Sequence, residues 1–513
     1  MCGIAVVIAP SGQSQPTNSG IEHFQSLVGC DCGTLLRRGP DSWFQTSITP
    51  FGLSSSPVQL LLLGSVLSQR GNSTTLQPLH SESTRNGSTY ALLWNGEIYA
   101  HTEEHTNSLF INPCNNDGEV LLSLLAQTAD QAHVLSQFSS LFGPFAFILL
   151  ELPTGTVYFG RDRYGRRSLV GRCGHNTLGD QSLTLDAISS VVLRSVQSGE
   201  DDSKYVHQMW VELPASGVFS GHLRLVDQGW CIADITLHPW SPEHSATFPS
   251  FGLSVARIAS PLAPLVDNWL ERNVHPSQDI SQTLLDLLSS AVKDRVCLAS
   301  SSCSDCFREI LQPPYQTQHA CTHSRFAVLF SGGIDSTILA VLCHRHVPRD
   351  QPIDLINVAF EQSGSHKLGS QGKPVLQPAS KAPDRRTAWQ SFHELCRVAP
   401  TRRWKLVLAD VSSAELHSVR TNYIKELLLP GRLTVLDDSL GLAMWFAARG
   451  RGRCCEAPKS DLEVTENLYT SPAKTVFVGT GVDEQLAGYT RHRAIYTHRC
   501  MRELSCQSGF QSC

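Results

Sequence analysis

Short apolar runs separated by Gly, Pro, Asn and Asp fill residues 2–240. The run at 4–8, Ile-Ala-Val-Val-Ile, is rich in β-branched residues and predicts a buried strand. Further strands are predicted at 90–94, 145–150 and 156–159. Residues 119–127 have helical spacing after Asn116 and Asp117, which suit a helix start. This pattern predicts a β-rich domain with a few covering helices.

The pattern changes from Ser281 onward. The leucines between 284 and 288 recur at helical spacing and predict an amphipathic helix. An apolar strand at 326–330, a helix from Ser336 and a strand at 353–360 follow one another. This alternation favours a parallel sheet with crossover helices.

A chain of 513 residues is too long for one hydrophobic core, so we expect more than one domain. The predicted parts are a first domain at 2–240, a mixed linker at 241–280 and a second domain at 281–513. Within the second domain, residues 362–383 are polar and rich in Gly, Ser and Lys. They predict an exposed mobile loop.

Composition narrows the class of protein. A hydrophobic content of 41% and a charged content of 17% are typical of a globular chain. The net charge of −5 gives no reason to expect nucleic-acid binding. The longest apolar run, 58–67, is too short to span a bilayer, and the N-terminus lacks the features of a signal peptide. The 17 cysteines form no framework, which predicts reduced thiols and a cytoplasmic protein.

One cysteine pattern matches a metal-binding spacing. Cys303 and Cys306, with His319 and His323, have the C-x2-C-x12-H-x3-H spacing of a zinc finger. A finger needs a helix leading into its histidines, yet two prolines at 313–314 interrupt the segment. The apolar residues expected between the ligand pairs are also absent. We therefore interpret this segment as an irregular linker.

The second residue of the chain offers a nucleophile. If Met1 is removed, the thiol of Cys2 and its own α-amine share one residue. That amine has a reference pKa of about 7.7–8.0, so it can accept the thiol proton near neutral pH. A cysteine near a chain start is common by chance, so its position alone does not establish catalysis.

The stretch 331–336, Ser-Gly-Gly-Ile-Asp-Ser, lies between an apolar strand and a predicted helix. Gly332 and Gly333 allow backbone N–H groups to turn inward, and the helix start adds partial positive charge. Ser331 and Ser336 can donate hydrogen bonds to phosphate. Asp335 would repel phosphate unless a divalent cation bridges them, which implies Mg²⁺. No lysine follows, so this is not a Walker loop; the alternative is an ordinary glycine turn.

Together, Cys2-Gly3-Ile4 and the 331–336 loop resemble the glutamine-hydrolysing asparagine synthetase family, and within it the asparagine synthetase domain-containing proteins of vertebrates. Further family motifs lie at 94–99, 160–169 and 483–489. The resemblance implies a two-domain α+β and α/β chain. Its first domain would be an N-terminal nucleophile-type glutaminase with layered αββα architecture. The second would be a parallel-sheet ATP-pyrophosphatase domain, truncated at its C-terminus.

The resemblance assigns roles in the first domain. Cys2 would attack the carboxamide of glutamine, while the Asn95 side-chain amide and the Gly96 N–H would form the oxyanion hole. The residues that would bind glutamine are Arg70 for its α-carboxylate, Glu97 and Asp117 for its α-ammonium, and Asn95. Asn95-Gly96 could instead be a simple turn and Asp117 a helix cap. The motif at 160–162, Gly-Arg-Asp, is interpreted as scaffold.

In the second domain the resemblance implies ATP and Mg²⁺. The ATP-binding residues would be Leu329, Ser331, Gly332, Gly333, Asp335, Ser336, Val358, Val478 and Gly479, and Asp335 and Asp483 would hold Mg²⁺-pyrophosphate. Thr480 stands where the family has a catalytic glutamate. Asp437 and Asp438 stand where it has an arginine segment, which disfavours a carboxylate substrate. The resemblance also leads us to expect that the family's closing helical segment, with its transition-state lysine, is missing.

Two functions follow from these patterns. In the first, ammonia released from glutamine at Cys2 passes between the domains and amidates aspartate, or another carboxylate, to give asparagine with AMP and pyrophosphate. Glutamine, ATP and the acceptor are then the small-molecule partners, and the resemblance also admits a homodimer. In the second, the chain is a degenerate homologue that acts only as a glutaminase or binds nucleotide or partners.

Overall fold

The computed structural model describes residues 2–10, 33–48, 58–71, 73–81, 89–127, 130–173, 185–189, 210–226, 229–242, 244, 257–262, 280–311, 321–368, 374–424, 434–458, 464–485, 490 and 494. The chain forms two compact units, Met1–Leu284 with Cys297–Ser300 and Leu285–Val296 with Ser301–Cys513. Most of the predicted linker, and His319 in the zinc-finger pattern, lie outside the described residues. Among the described helices, none combines the length and apolar character needed to cross a bilayer.

The first unit is mainly β-structure. Its strands are β1 (Gly3–Pro10), β2 (Ser42–Ile48), β3 (Val58–Val66), β4 (Leu79–His80), β5 (Tyr90–Gly96), β6 (Ala100–His101), β7 (Leu141–Phe142), β8 (Phe145–Glu151), β9 (Thr156–Arg161), β10 (Val170–Cys173), β11 (Leu185–Ser189), β12 (Trp210–Glu212), β13 (Gly217–Val226), β14 (Gly229–Pro239) and β15 (Arg257–Ile258). Its helices are α1 (Gly33–Arg38), α2 (Glu104–Phe110), α3 (Asp117–Leu125) and α4 (Gln131–Ser139). The predicted strands and the helix after Asn116 are all present.

The described strands of this unit pair in the order β2-β3-β1-β11-β14-β13-β9-β8-β5-β4, with each adjacent pair antiparallel. Strand β1 lies inside this order and pairs with β3 along its whole length, Gly3 opposite Ser65 and Pro10 opposite Val58. A continuous ladder on a buried strand fixes its register firmly. The residue before β1, Cys2, is therefore held at the end of a rigid strand.

The side chains of β1 and β5 alternate between two packing faces, as strand geometry requires. Ile4 and Val6 pack in one buried cluster with Leu93 and Ile148. The opposite face of β5 and β8 packs Leu92 and other residues against helices α2, α3 and α4. On the far side of β1, Gly3 lies against α1. The described strands thus form one continuous sheet, with α2, α3 and α4 on one face of β5 and β8 and the short helix α1 against β1.

The helices from residue 280 onward are α5 (Ile280–Leu298), α6 (Ser304–Leu311), α7 (Ile334–His346), α8 (Pro383–Val398), α9 (Ser413–Val419), α10 (Val435–Ala448) and α11 (Val482–Gln485). The strands are β16 (Phe326–Leu329), β17 (Ile353–Phe360), β18 (Gln362–Leu368), β19 (Pro374–Gln377), β20 (Trp404–Val411), β21 (Arg451–Ala457), β22 (Val464–Thr470) and β23 (Thr475–Phe477). The predicted amphipathic helix is α5, and the predicted alternation of strand and helix is present.

The main sheet of the second unit has the order β22-β21-β20-β17-β16-β23. The four strands β20, β17, β16 and β23 are mutually parallel, whereas β21 and β22 join antiparallel at one side. The chain leaves β16 toward β17 on one side and returns much later as β23 on the other. The carboxyl ends of β16 and β23 therefore form a topological switch point, where open α/β sheets bind ligands.

Three predictions about local structure need correction. The helix predicted from Ser336 begins at Ile334. The loop predicted at 362–383 is wrong in part, because β18 and β19 pair antiparallel within it. A hairpin needs only backbone hydrogen bonds, so it can form without an apolar alternation in the sequence. The irregular linker predicted around Cys303 is also wrong at Ser304–Leu311, which is helical.

Candidate functional site

Gly3 fixes the position of Cys2 because no larger residue fits there. The Gly3 N–H donates to Ser65 Oγ at 3.1 Å, and Ser65 Oγ donates to the Leu35 carbonyl at 2.7 Å. A Cβ at position 3 would lie 2.4 Å from that carbonyl oxygen and 2.5 Å from Ser65 Oγ. The glycine thus allows α1, β1 and β3 to approach closely, with the thiol-bearing residue at their common end.

The Cys2 thiol lies in a half-buried, polar environment. Its Sγ is 3.9 Å from the Leu67 carbonyl oxygen, and Arg38 Nε donates to the Cys2 carbonyl at 3.2 Å. Burial raises the pKa of the thiol. The positive amino terminus and the contact to Leu67 lower it, whereas the carboxylates of Glu97 and Asp117 raise it further. The net pKa lies above the ordinary value, so the thiol needs a nearby base.

Asn95 and Gly96 end strand β5, which places them in the sheet rather than in a tight turn. The Asn95 side chain is 1% exposed, and neither its Oδ1 nor its Nδ2 has a hydrogen-bond partner in the described part of the chain. Buried amides in proteins are almost always hydrogen-bonded, so an unpartnered one indicates a position for a ligand. At Gly96 a Cβ would lie 2.6 Å from Phe145 Cβ and 2.8 Å from the Pro144 carbonyl.

Arg70, Glu97 and Asp117 form a buried charged cluster. Arg70 Nε pairs with Glu97 Oε2 at 2.8 Å, and its two other nitrogens donate to the carbonyls of Ile98 and Phe110. Asp117, the first residue of α3, accepts from the N–H of Ile98 at 2.9 Å and of Gly118 at 3.0 Å. The helix cap itself is Asn116, whose Oδ1 accepts from Glu119 N at 3.1 Å. Asp117 therefore remains buried and directed toward β5, not capping the helix.

The electrostatics of this cluster oppose full ionisation of its acids. Burial, and then repulsion from Asp117, raises the pKa of Glu97 to about 7, although Arg70 and Arg167 act against this shift. Burial also raises the pKa of Asp117, with Arg70 and three hydrogen bonds lowering it. Two carboxylates share one buried arginine. An added cation, such as an ammonium group, would stabilise both as carboxylates.

In the second unit, the 331–336 loop connects β16 to α7 at the switch point. Gly332 has φ +80°, and a Cβ there would lie 2.4 Å from the Ala388 nitrogen. Ser331 Oγ accepts from Gly333 N at 3.2 Å and lies 3.4 Å from Ser336 Oγ. Gly333 is the N-cap of α7 and has no side chain to compete for the first N–H groups of the helix. The loop thus presents backbone donors and two hydroxyls at a helix start.

The loop after β23 lies beside the same helix. A Cβ at Gly479 would be 3.3 Å from Asp335 Cβ and 4.0 Å from Leu339 Cδ1, which places residues 478–483 against α7. Leu329 and Val358, on adjacent parallel strands, pack half-buried against a shared apolar cluster. Asp483 is the second residue of the short helix α11 and is half-buried. The structure therefore brings both predicted nucleotide segments to one sheet edge.

Comparison with known proteins identifies the family. A glutamine amidotransferase domain model matches residues 66–178. Asparagine synthetase domain-containing protein 1 of Gallus gallus is 31% identical, over 97% of this chain and 81% of its own length. The Homo sapiens protein of the same name is 34% identical, over 96% of this chain and 79% of its own. This chain belongs to the asparagine synthetase domain-containing proteins.

The resemblance expected from the motifs is thereby confirmed. Among solved structures, glutamine phosphoribosylpyrophosphate amidotransferase from B. subtilis, complexed with ADP and GMP, aligns with 73% of this chain and 69% of that chain. The sequence identity is 12% and the TM-score is 0.29.

Two residues of this asparagine synthetase domain-containing protein were missed by sequence reasoning. Arg38 contacts the Cys2 backbone, and Arg167 lies near enough to Glu97 to lower its pKa. Burial and repulsion from Arg167 lower the pKa of Arg38 to about 10. The sequence feature that points to Arg38 is the polar run at 37–41, Arg-Arg-Gly-Pro-Asp. In the structure, Asp41 Oδ2 accepts from Ser68 N at 2.8 Å. That bond steadies the loop that carries the Leu67 carbonyl.

The motif at 160–162 has a structural role. Asp162 accepts from the N–H of Phe145 at 3.1 Å and of Arg166 at 3.0 Å. Arg161 Nη1 donates to the Leu213 carbonyl at 2.9 Å, and its other nitrogens donate to the carbonyls of Arg167 and Gly165. These contacts tie the ends of β8 and β9 to the loop at 165–169, as expected of a scaffold.

The acids that replace the family's arginine segment are engaged in structural contacts. Asp437 forms a capping box with Thr434, accepting from Thr434 N at 3.1 Å and donating its own N–H to Thr434 Oγ1 at 3.1 Å. Asp438 pairs with Arg420 Nε at 3.0 Å. In this asparagine synthetase domain-containing protein, Asp437 therefore caps the start of α10 and Asp438 forms an ion pair with Arg420. Thr480, which stands where the family's glutamate is expected, is exposed.

The raised pKa of Glu97 predicts a pH dependence. If Glu97 binds the α-ammonium of glutamine, it must be a carboxylate, so kcat/KM should fall as the pH drops through about 7. Glu97→Gln should lower kcat/KM and remove that step from the profile. The measurement is glutamine hydrolysis between about pH 5.5 and 8.5, with exposed Glu104→Gln as the control. A Glu97→Gln profile of unchanged shape would contradict this role.

Proposed function

We propose that this chain is a glutamine-dependent amidotransferase of the asparagine synthetase type, with an N-terminal nucleophile-type first unit. Glutamine is hydrolysed at Cys2, and the second unit uses ATP and Mg²⁺ to convert aspartate, or a related carboxylate, to its amide with release of AMP and pyrophosphate. The observation that carries the proposal is the buried, unpartnered Asn95 amide near the end of β5, two residues before Glu97, whose carboxylate raises the pKa of the Cys2 thiol. The described cysteines are free thiols, which suits the reducing cytoplasm.

At Cys2 the chemistry follows from its neighbours. Once Met1 is removed, the α-amine of Cys2 accepts the thiol proton and the thiolate sulfur attacks the carboxamide carbon of glutamine. The Asn95 amide and the Gly96 N–H donate to the developing oxyanion. The C–N bond then breaks, ammonia leaves with the proton, and water hydrolyses the thioester to glutamate.

Glutamine recognition follows from the charged cluster. When ionised, Glu97 and Asp117 carry two negative charges, and Arg70 carries one positive charge. The net charge of −1 matches one α-ammonium group. Arg70 is the predicted partner of the α-carboxylate, but three of its nitrogens already hold Glu97 and two carbonyls. Arginine offers five N–H donors, so that contact would use the remaining ones.

The geometry of the 331–336 loop fits phosphate. Gly332 has a positive φ, and the hydroxyls of Ser331 and Ser336 lie 3.4 Å apart at the start of α7. Helix α8 supports this shape, because Ser391 Oγ donates to the Gly332 carbonyl at 2.6 Å. Asp335 and Asp483 would hold Mg²⁺, which neutralises phosphate charge.

Gly332→Ala should weaken ATP–Mg²⁺ binding by at least about tenfold and lower the unfolding temperature. The alanine would face both the strain of positive φ, about 1–3 kcal/mol, and a Cβ contact at 2.4 Å. The measurement is titration calorimetry with a thermal melt. The control is Gly450→Ala, which has φ +57° but no contact closer than 3.2 Å. Equal ATP affinity in wild type and Gly332→Ala would exclude this loop as the nucleotide site.

A direct test uses full-length protein whose intact mass shows that Met1 is absent. The expected result is glutamine hydrolysis, and AMP formation that requires ATP, Mg²⁺, glutamine and aspartate or another carboxylate. Glutamine hydrolysis without any AMP, across a panel of carboxylates, would refute the synthetase half and leave the glutaminase.

A second candidate is a homologue that hydrolyses glutamine or binds nucleotide without amidating aspartate. It is favoured by Thr480, which stands in place of the family's glutamate. It is also favoured by Asp437 and Asp438, whose carboxylates already contact Thr434 and Arg420. Calorimetric titration with ATP–Mg²⁺ followed by aspartate separates the two. Nucleotide binding with no response to aspartate supports this second function.

A further inference from the structure

Three cysteines and one histidine of the second unit converge outside the sites described above. Cys303, Cys306, Cys321 and His323 each offer one ligand atom, and these atoms all lie within 4.8 Å of one another. Cys303 is buried, Cys306 and Cys321 are half-buried, and His323 is exposed. The first two flank the start of α6, and the other two precede β16.

The distances fit one small tetrahedral metal ion. With Zn–S of about 2.3 Å and Zn–N of about 2.0–2.1 Å, tetrahedral geometry separates a sulfur and a nitrogen ligand by about 3.6 Å. His323 Nδ1 lies 3.7 Å from Cys303 Sγ and 3.4 Å from Cys306 Sγ. The Cys306 N–H also points to Cys303 Sγ at 3.5 Å, a contact that stabilises negative charge on the sulfur.

The ligands are held in place by contacts that need no metal. Ser324, next to His323, is fully buried and donates to Asp354 Oδ1 at 2.5 Å. Gln351 Nε2 donates to the Cys321 carbonyl at 3.4 Å. On the other side, Ser304 N donates to the Pro472 carbonyl at 2.8 Å. Both halves of the cluster are therefore held by β17 and by the loops at Gln351 and Pro472, independently of any ion.

The chemistry of the four side chains fits zinc. Three buried or half-buried thiols and one imidazole share this position. Cysteine sulfur and histidine nitrogen are the ligands that structural zinc sites use.

We propose that Cys303, Cys306, Cys321 and His323 bind one Zn²⁺ in a closed structural site. All four positions are filled by protein ligands, which is typical of structural rather than catalytic zinc. The site joins α6 to the segment that enters β16, whose other end carries the 331–336 loop. Cys303, Cys306 and His323 also belong to the zinc-finger spacing, whereas Cys321, the fourth residue of this cluster, is not part of that pattern.

The test is metal analysis of full-length protein purified under reducing conditions from zinc-supplemented cells. We expect about one zinc per chain by plasma mass spectrometry. Cys306→Ser and His323→Ala should each reduce zinc content or affinity by more than about tenfold, since even outer-shell changes cost that much. His323→Cys should keep the zinc, because four cysteines also form a structural site. Exposed Cys297→Ser is the matched control.

A second readout separates binding from simple damage to the fold. Cobalt(II) added to the zinc-free protein should give the visible absorption of tetrahedral thiolate coordination in wild type and His323→Cys, and not in His323→Ala. The proposal is overturned if the reduced protein holds no zinc and takes up no cobalt. It is equally overturned if His323→Ala retains full zinc content.

Discussion

Cys2→Ala is expected to abolish glutamine hydrolysis, by about 10⁴-fold or more, which is the scale of loss when a covalent nucleophile is removed. Among the described residues, the groups that act on the Cys2 thiol are two carboxylates, the amino terminus and a backbone carbonyl, and none of them is a thiol. Cys2→Ala should still bind glutamine. With ammonia supplied as a salt, it should also retain any ATP-dependent amidation by the second unit.

The comparison with Cys297→Ser controls for general thiol loss, since Cys297 is exposed and outside the cluster. Protein that keeps Met1 should behave like Cys2→Ala, because its α-amine no longer belongs to Cys2 and the raised pKa of the thiol leaves little thiolate. Undiminished hydrolysis by Cys2→Ala would remove the glutaminase assignment.

Asn95→Ala is expected to lower kcat for glutamine hydrolysis by about 10²–10³-fold, the usual effect of losing one oxyanion-hole donor. Its effect on stability should be small, since the Asn95 amide makes no hydrogen bond within the described residues. This combination of a large kinetic loss with an unchanged melting temperature distinguishes a catalytic amide from a structural one.

Asn357→Ala is the matched control for Asn95→Ala. Its Nδ2 donates to the Phe330 carbonyl at 2.8 Å and its Oδ1 accepts from Arg385 at 2.5 Å. This variant should lower the melting temperature and leave glutamine hydrolysis unchanged. If Asn95→Ala were instead destabilising with normal kcat, Asn95 would be a structural residue of β5.

The sequence was most informative where local pattern and local structure coincide. The runs that became β1, β5, β8 and β16 could be predicted because each is a short, continuous apolar sequence. The positions of Cys2, Asn95 and Asp117 at the ends of such elements could be inferred in the same way. The requirement for glycine at position 3 could not be inferred from the sequence. It arises because α1 lies against β1 and leaves no room for a Cβ.

The contacts that sequence reasoning missed are all long-range. Arg38 reaches Cys2 across 36 residues, and the contact between Cys303 and His323 spans 20 residues. The zinc-finger spacing drew attention to His319 because spacing rules assume one local fold. In the structure, Cys321 and His323 lie just before β16. This strand therefore positions the second pair of ligands.

The measurement that tests the central claim most directly follows the amide nitrogen. Protein lacking Met1 is incubated with ¹⁵N-amide glutamine, ATP, Mg²⁺ and aspartate or other carboxylates, and products are identified by mass spectrometry. The account predicts ¹⁵N in an amide product, formed in step with AMP and absent with Cys2→Ala. Glutamine left intact by protein with a free Cys2 amino terminus would contradict it.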